Sequence, residues 1–523
     1  MSSARGHGFH RAVGICCCGV VMRIGLSLSG LQPMLASAME LVVSSTSWER
    51  AQEGYFLGTL GFSHYAGGAF SGSPLMLAAV ALCAMLPAAV RAVGAAVLFC
   101  AFDLASALLL RAICVRAVAV ESCEWETQLE GWMDEDSKPP KEGPVSSTSI
   151  AVESNLAGVS SAKRQTAGGG NAAVSRGDPT VVSSAGAGGV AWDLPDVVLA
   201  AYLLNPVIAG QCAALSGDVL GRVFPLAALA AAGSRRPGVT AGALAAAACL
   251  WRFYAAPLLL PAALMLGTFS CGNGGAATDK AGDRAAAGFD PRSLKIDGKA
   301  FLRLCAAFAA WCAAILGGCW LATSGSWAFL WAAARGQLLC EDLTPNVGLY
   351  WYFFAEVFPR FRGFFRVLFL SQPYVYVLPA TLRLGMFPEA LASLVLAIFG
   401  LFQPYPTLVD PMLAGCLFLC HPRTSARMRL VIPVGMAALV PALLLPTMRH
   451  LWLQAGTGNA NFYYFQTVGL NVLLAVFVLQ FAAALVKRRK ALTMAFEKRR
   501  KAQAAVAGTG TGGGAAVALK GDS

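Results

Sequence analysis

Apolar stretches close to the length of a bilayer-spanning helix follow one another along almost the whole chain. They lie near residues 12–38, 74–90, 93–119, 194–215, 219–233, 238–267, 300–323, 364–384, 388–402, 407–420, 428–449 and 466–486. A helix needs about 20 residues to cross the hydrocarbon core, so several of these runs are short or split. The run 326–339 is shorter still and reads as re-entrant or interfacial. Apolarity runs all round rather than alternating, which selects helices over a transmembrane barrel. Only 13% of the 523 residues are charged, against about 25% in a soluble domain. An ordinary soluble enzyme, a DNA-binding module and a disulfide scaffold are thereby excluded. The expectation is an all-α polytopic membrane protein of about 10–12 transmembrane helices with disordered inserts.

The net charge of +12 invites a nucleic-acid partner, but the positions of the charges argue against one. Basic residues sit at the ends of apolar runs and in the C-terminal set Lys487, Arg488, Arg489, Lys490, Lys498, Arg499, Arg500 and Lys501. That is the positive-inside pattern of cytosolic loops facing anionic membrane phospholipids. Lys295 and Lys299, at the start of the run 300–323, are weaker candidates for the same headgroups. Most of the 16 cysteines lie inside apolar segments, where a free thiol packs as a small apolar residue. With no Cys-x-x-Cys pair and only five His, neither a metal site nor a cofactor is expected.

The chain divides by composition. Residues 1–120 hold N-terminal spans with a first loop. Residues 121–190 begin acidic and continue Ser-, Gly- and Ala-rich, with too little apolar surface to offset ordering entropy. Residues 191–269 are central spans, 270–293 a second such insert, and 294–486 the C-terminal spans with polar loops. Residues 487–523 are basic, then turn into a Gly/Ala/Thr tail from 502. Arg5 and Arg11 before Ala12–Met22, with Ala36-Ser37-Ala38 behind, would also fit a cleaved signal peptide. A retained helix over 12–38 is preferred, because Arg23 interrupts the run and apolar character resumes to Val43.

Polar residues inside apolar runs need partners. Arg23 would cost about 2.5–3.5 kcal/mol at the bilayer centre unless it faces protein or snorkels. Asp103 needs a cationic partner, such as an Arg on another helix, and reads as a buried staple or as a transport site. Asn205-Pro206 marks a helix break, since Pro removes a backbone donor.

Placing the basic C-terminal stretch in the cytosol puts 340–363, 403–411 and 450–465 together on the lumenal side. The same scheme leaves Arg360, Arg362 and Arg366 lumenal. These stretches are more polar and aromatic than their surroundings. Asp342 and Asn346 precede Trp351, Tyr352 and Phe354 in a segment broken by Pro345 and Gly348. It reads as a platform for lipid chains or glycan, or as an interfacial aromatic belt. Asn459 and Asn461 stand two apart beside Phe462; extended, they would project the same way and offer carboxamides to sugar hydroxyls. Ordinary turn chemistry is the rival reading. Asp410 sits at a run end and suits a helix cap.

Residues 342–356 (DLTPNVGLYWYFFAE) and 450–464 (HLWLQAGTGNANFYY) resemble signature segments of the PIG-U family, the multi-spanning subunit of GPI transamidase. So do, in the same order, 42–54 (VVSSTSWERAQEG), 63–75 (SHYAGGAFSGSPL), 202–206 (YLLNP) and 405–407 (YPT). The resemblance implies a GT-C-like architecture in the endoplasmic reticulum membrane. It implies a non-catalytic role, binding GPI lipid and assembling with other transamidase subunits, among them a caspase-like subunit carrying the catalytic Cys and His. On that reading Asn459, Asn461, Phe462, Asp342, Asn346, Trp351, Tyr352 and Phe354 would meet the GPI lipid, while Asp103 and Asn205 are structural. The alternative is a GT-C polyprenyl-phosphate-dependent mannosyltransferase, which needs acidic residues after the first span; this loop offers only Glu40, Glu49 and Glu53, with no Asp-x-Asp.

Overall fold

The computed structural model describes residues 2–68, 70–122, 181–182, 192–267, 269–271 and 294–510. The expectations for the inserts at 121–190 and 270–293 fall almost wholly outside these residues. In chain order the helices are α1 (Ser2–Ser27), α2 (Gln32–Ala36), α3 (Trp48–Thr59), α4 (Pro74–Ala84), α5 (Arg91–Glu121), α6 (Leu194–Leu203) and α7 (Pro206–Ala213). Then come α8 (Gly217–Gly233), α9 (Pro237–Leu250), α10 (Leu259–Met265), α11 (Gly298–Ala322), α12 (Ala328–Gln337) and α13 (Tyr350–Glu356). The last are α14 (Pro359–Leu384), α15 (Pro388–Phe402), α16 (Val409–Leu419), α17 (Pro422–Ser425), α18 (Val431–Leu453) and α19 (Ala460–Gly510). Among the described residues, strands occur only as two short antiparallel pairs, Val181–Val182 with Trp192–Asp193 and Phe269–Cys271 with Leu294–Ile296. The all-α polytopic class therefore holds. The last helix continues to Gly510, past the point where the low-complexity tail was placed.

Among the described residues, five helices are long and apolar enough to cross a membrane: His10–Ser27, Ala88–Glu121, Gly298–Ala322, Val431–Leu453 and Ala460–Ala502. The pair α6–α7, bent by 48°, makes a sixth if taken as one. Five more apolar helices have only 10–17 residues. Full-length spans are thus fewer than the apolar runs suggest. Proline is the cause in several places: Pro206, Pro237 and Pro388 each open a new helix at its first position, where the missing N–H costs nothing. At the first of these breaks Asn205 Oδ1 accepts from Val207 N (2.9 Å) and Ile208 N (3.3 Å), capping α7.

Helix association in lipid depends on close packing and interhelical hydrogen bonds rather than on water exclusion. The α8–α9 contact shows the first: Ala228, Ala231 and Ala232 of α8 and Ala241, Ala245 and Ala248 of α9 are all buried. The outward face of α14, by contrast, exposes Phe364, Val367, Val375 and Leu378, a surface suited to lipid.

Buried charge supplies the second kind of contact. Asp103 on α5 is fully buried and receives Arg23 Nε from α1 at 2.6 Å. Arg23 Nη1 also donates to Leu203 O at 2.6 Å, so the arginine faces protein as its cost demands. The other Asp103 oxygen accepts the Tyr202 hydroxyl at 2.7 Å, and Arg222 Nη1 donates to that hydroxyl at 3.0 Å. Arg222 continues to the Gln211 carbonyl, and Gln211 Nε2 donates to Leu41 O (3.0 Å) and Thr407 Oγ1 (3.1 Å). A single polar chain thus runs from mid-bundle to the loops at 41 and 407. Arg222 Nη1 also lies 3.6 Å from Asp103 Oδ1, so the carboxylate faces two buried arginines and both its oxygens are occupied.

Candidate functional site

The polar stretches predicted to share one side of the membrane meet at one end of the bundle. Asp342 opens the Asp342–Glu356 segment with an Asx turn, accepting from Thr344 N at 2.9 Å and from the Thr344 hydroxyl. Burial alone would raise its carboxyl; the hydrogen bonds from Thr344, with Arg50 3.6 Å away, outweigh burial and hold it below its ordinary value. Asn346 is buried and closes the next turn, its Oδ1 accepting from Gly348 N at 2.7 Å. Three side chains, one from the loop before α16 and two from α19, then grip the segment's backbone. Tyr405 donates to Asp342 O (2.9 Å), Tyr464 to Leu349 O (3.2 Å) and Asn471 Nδ2 to Val347 O (2.8 Å).

The aromatic run that follows is divided between two clusters. Trp351 is buried against Trp452, stacked at 6.3 Å, and meets Tyr464 edge-on at 5.9 Å. Tyr352 stacks on Tyr464 at 4.5 Å, and its hydroxyl donates to Asn461 Oδ1. Phe354 points elsewhere, packing with Tyr350 and Phe369 under α14. Trp351, Tyr352 and Asn461 therefore form one patch, and Phe354 belongs to a separate one.

Asn459 and Asn461 are not side by side. Helix α19 begins at Ala460, so Asn461 is already helical, and residues two apart on a helix do not face each other. Asn459 Oδ1 accepts from Phe462 N at 3.3 Å and serves as the cap, which is the turn-chemistry reading. Phe462 is exposed. Lys299 is exposed in the first turn of α11, and Lys295 lies in the strand Leu294–Ile296.

Two further groups were not singled out from sequence. Glu40 is buried and pairs with Arg449 at 3.2 Å, while its carbonyl accepts from Leu408 N at 2.9 Å. The first-loop carboxylate is thus tied to α18. Nearby, Trp351 Nε1 and the Tyr463 hydroxyl are buried without a hydrogen-bond partner. Asp218 and Arg252 form the other pair, Nη2 to Oδ1 at 2.5 Å. Asp410 Oδ2 accepts from Thr407 N at 2.7 Å, which ties down the turn ahead of α16; the N-cap position is Leu408, without a side-chain cap, so Asp410 does not take the capping role expected of it.

The opposite end of the bundle has its own lock. Glu121 binds Arg488 Nη1 and accepts from Arg423 N at 2.9 Å, and Ser393 Oγ lies 3.1 Å from His421 Nε2. Among the described residues no group of three or more His, Cys, Asp or Glu is arranged to hold a metal.

Lipid-facing helices, charges neutralised inside the bundle and an aromatic end clasped by hydrogen bonds define a polytopic membrane protein of the all-α class. Comparison with known sequences adds the family. The profile described as "GPI transamidase subunit PIG-U" matches residues 17–470, and the chain belongs to the PIG-U family. The mouse GPI-anchor transamidase component PIGU is 34% identical over 168 residues, 32% of this chain and 39% of the relative. The human protein of the same name is 33% identical over the same shares. The GPI transamidase component GAB1 homolog of Schizosaccharomyces pombe is 35% identical over 160 residues, 31% of this chain and 39% of the relative. The alignments thus span about two fifths of those relatives.

The motif residues have physical roles in this fold. Tyr202 and Asn205 of YLLNP supply the Asp103 contact and the α7 cap, and Thr407 of YPT ends the polar chain. In the loop before α4, a Cβ on Gly72 would meet Ser45 O at 2.4 Å, so only glycine lets the two signature loops approach.

Proposed function

We propose that the chain is a non-catalytic subunit of GPI transamidase in the endoplasmic reticulum membrane. It holds GPI lipid at its lumenal aromatic end and assembles with the other subunits, including a caspase-like one that carries the catalytic Cys and His. The observation that carries the reading is the match to the PIG-U profile over residues 17–470. The local support is the patch of Trp351, Tyr352 and Asn461, with the Tyr352 hydroxyl donating to Asn461 Oδ1, on the segment that Asp342 and Asn346 shape by their turns. Carboxamide, indole and phenol groups bond sugar and inositol hydroxyls without adding charge, while the rings lie along acyl chains. Exposed Phe462 contributes apolar surface, buried Phe354 anchors the segment beneath α14, and Asn459 contributes by starting α19. Lys299 and Lys295 contact anionic phospholipid at the other face. The test is complementation: expression of this chain in cells lacking their own PIG-U subunit restores a GPI-anchored surface marker. No restoration at normal expression, with the chain correctly inserted, refutes the reading.

A further inference from the structure

A cleft separate from the Trp351 patch lies between the start of α8, the end of α9, α12, α14 and the end of α15, and holds about 1080 Å³ of empty space including its open mouth. One wall is apolar, built from Phe329 and Leu330 of α12, Leu370 and Tyr374 of α14, and Phe399 and Phe402 of α15. Its floor is the Asp218–Arg252 pair. Asp218 Oδ1 takes both available donors, Arg252 Nη2 at 2.5 Å and Trp251 Nε1 at 3.0 Å. Oδ2 of the same carboxylate is buried with no hydrogen-bond partner, and the side chain is only 4% exposed. A buried carboxylate oxygen left unpaired is costly, and a ligand donor would remove that cost.

The lining also says which donor. Among the described residues, Asp218 and Arg252 are the only charged ones on it, and Arg252 is committed to Asp218 and to Tyr405 O at 3.3 Å. No cation is left over for a phosphate. The rest of the polar lining is neutral, with Ser45, Thr46, Ser73, Gln337 and Gln403 at the edges and Trp251 and Tyr254 offering ring faces. Neutral hydroxyls and amides beside aromatic faces suit a polyol.

Helix α12 is the wall a chain must pass. It is bounded by backbone in the left-handed region at Ser324 (φ 56°), Gly325 (φ 76°) and Cys340 (φ 46°). Gln337 pins its end over the cleft, Nε2 donating to Trp251 O at 3.1 Å and Oε1 accepting from Phe253 N at 2.9 Å. We propose that the cleft binds a membrane lipid with an uncharged, hydroxyl-rich headgroup. One acyl chain lies between α12 and α14, and a headgroup hydroxyl donates to Asp218 Oδ2. This site stands whether or not the Trp351 patch touches lipid.

The test uses the full chain with its co-purifying subunits in nanodiscs, read by native mass spectrometry. The probes are monoglucosyl diacylglycerol, phosphatidylethanolamine and phosphatidylcholine, with matched acyl chains. Wild type should retain the glucosyl lipid about fivefold over phosphatidylcholine, the size of one hydrogen bond to the headgroup. Ala333→Trp, which fills the chain slot from α12, should cut retention of the glucosyl lipid at least about fivefold. The fold-loss caused by Ala333→Trp should be the same with and without Asn461→Ala, which separates this cleft from the aromatic patch. Asp218→Asn should reduce the headgroup preference; should that variant fail to fold, the probe series on wild type and Ala333→Trp remains decisive. Equal retention of all three lipids, preference for the ethanolamine lipid, or full retention by Ala333→Trp would overturn the proposal.

Discussion

Asp103→Leu is the substitution whose cost the structure fixes most tightly. It removes the carboxylate that holds Arg23 Nε at 2.6 Å and the Tyr202 hydroxyl at 2.7 Å. Arg23 is 1% exposed and would retain only the carbonyls of Gly19 and Leu203, with its Nη2 already unpartnered. Breaking one side of a buried ion pair costs about 3–5 kcal/mol, because the remaining charge is stranded. At about 2–4 °C per kcal/mol, the apparent melting midpoint should fall by about 6–20 °C. Replacing both partners, Arg23→Met with Asp103→Leu, removes the Arg23 charge; Arg222, whose Nη1 lies 3.6 Å from Asp103 Oδ1, loses that carboxylate in both variants and keeps its bonds to Tyr202 and Gln211. The double variant should therefore be more stable than Asp103→Leu alone. The assay is fluorescence-detected gel filtration of detergent-solubilised protein after stepped heating. A double variant as unstable as the single one, or more so, would refute the argument that the stranded Arg23 charge is the main cost of losing Asp103.

His421, in the connection between α16 and α17, is pushed down to about 3 by burial and by the neighbouring Arg488 guanidinium. Its unfolded form takes up a proton near its ordinary value of 6.5 while the folded form does not, so stability should be complete above that pH and decline as pH falls toward 3. Melting midpoints at pH 7.5 and 5.0, compared with those of His421→Gln, check this; equal pH slopes would remove His421 from the account. Trp351→Ala with Phe354→Ala deletes two buried rings worth about 1.5–3 kcal/mol each and should lower surface display of a GPI-anchored marker. Unchanged display would reduce the segment to an interfacial anchor. Asn459→Ala should cost about 0.5–2 kcal/mol of stability as a lost cap, with bound lipid unaffected. Asn461→Ala should instead lower GPI bound to the purified complex; the reverse pattern would exchange their roles.

What sequence reading captures here follows from energetics that act locally. A carboxylate within α5 and an arginine within α1 each demanded a partner, and Arg23 and Asp103 are each other's. Asn205-Pro206 marked a break because proline forbids the next hydrogen bond, and the helix bends there by 48°. Asp218 lies just ahead of the run 219–233, where a charge needs no partner, whereas Arg252, 34 residues on, sits inside the run 238–267 and is the kind of in-run charge that demands one. Only the packing of α8 and α9 buries both. The spacing of Asn459 and Asn461 misled because it was judged as extended chain. An Asn directly ahead of an apolar helical run was itself the signal of a cap. The count of full-length spans depended on where Pro206, Pro237 and Pro388 start new helices, and apolar length alone does not register those starts.

The central claim, that this chain works as a subunit of GPI transamidase, is tested most directly by affinity purification of the tagged full chain in mild detergent. The co-purifying proteins are identified and quantified by mass spectrometry. The account predicts near-stoichiometric recovery of a caspase-like subunit and other transamidase components, with GPI lipid in the same fractions. A chain that purifies without them and transfers sugar from a polyprenyl-phosphate donor would contradict it.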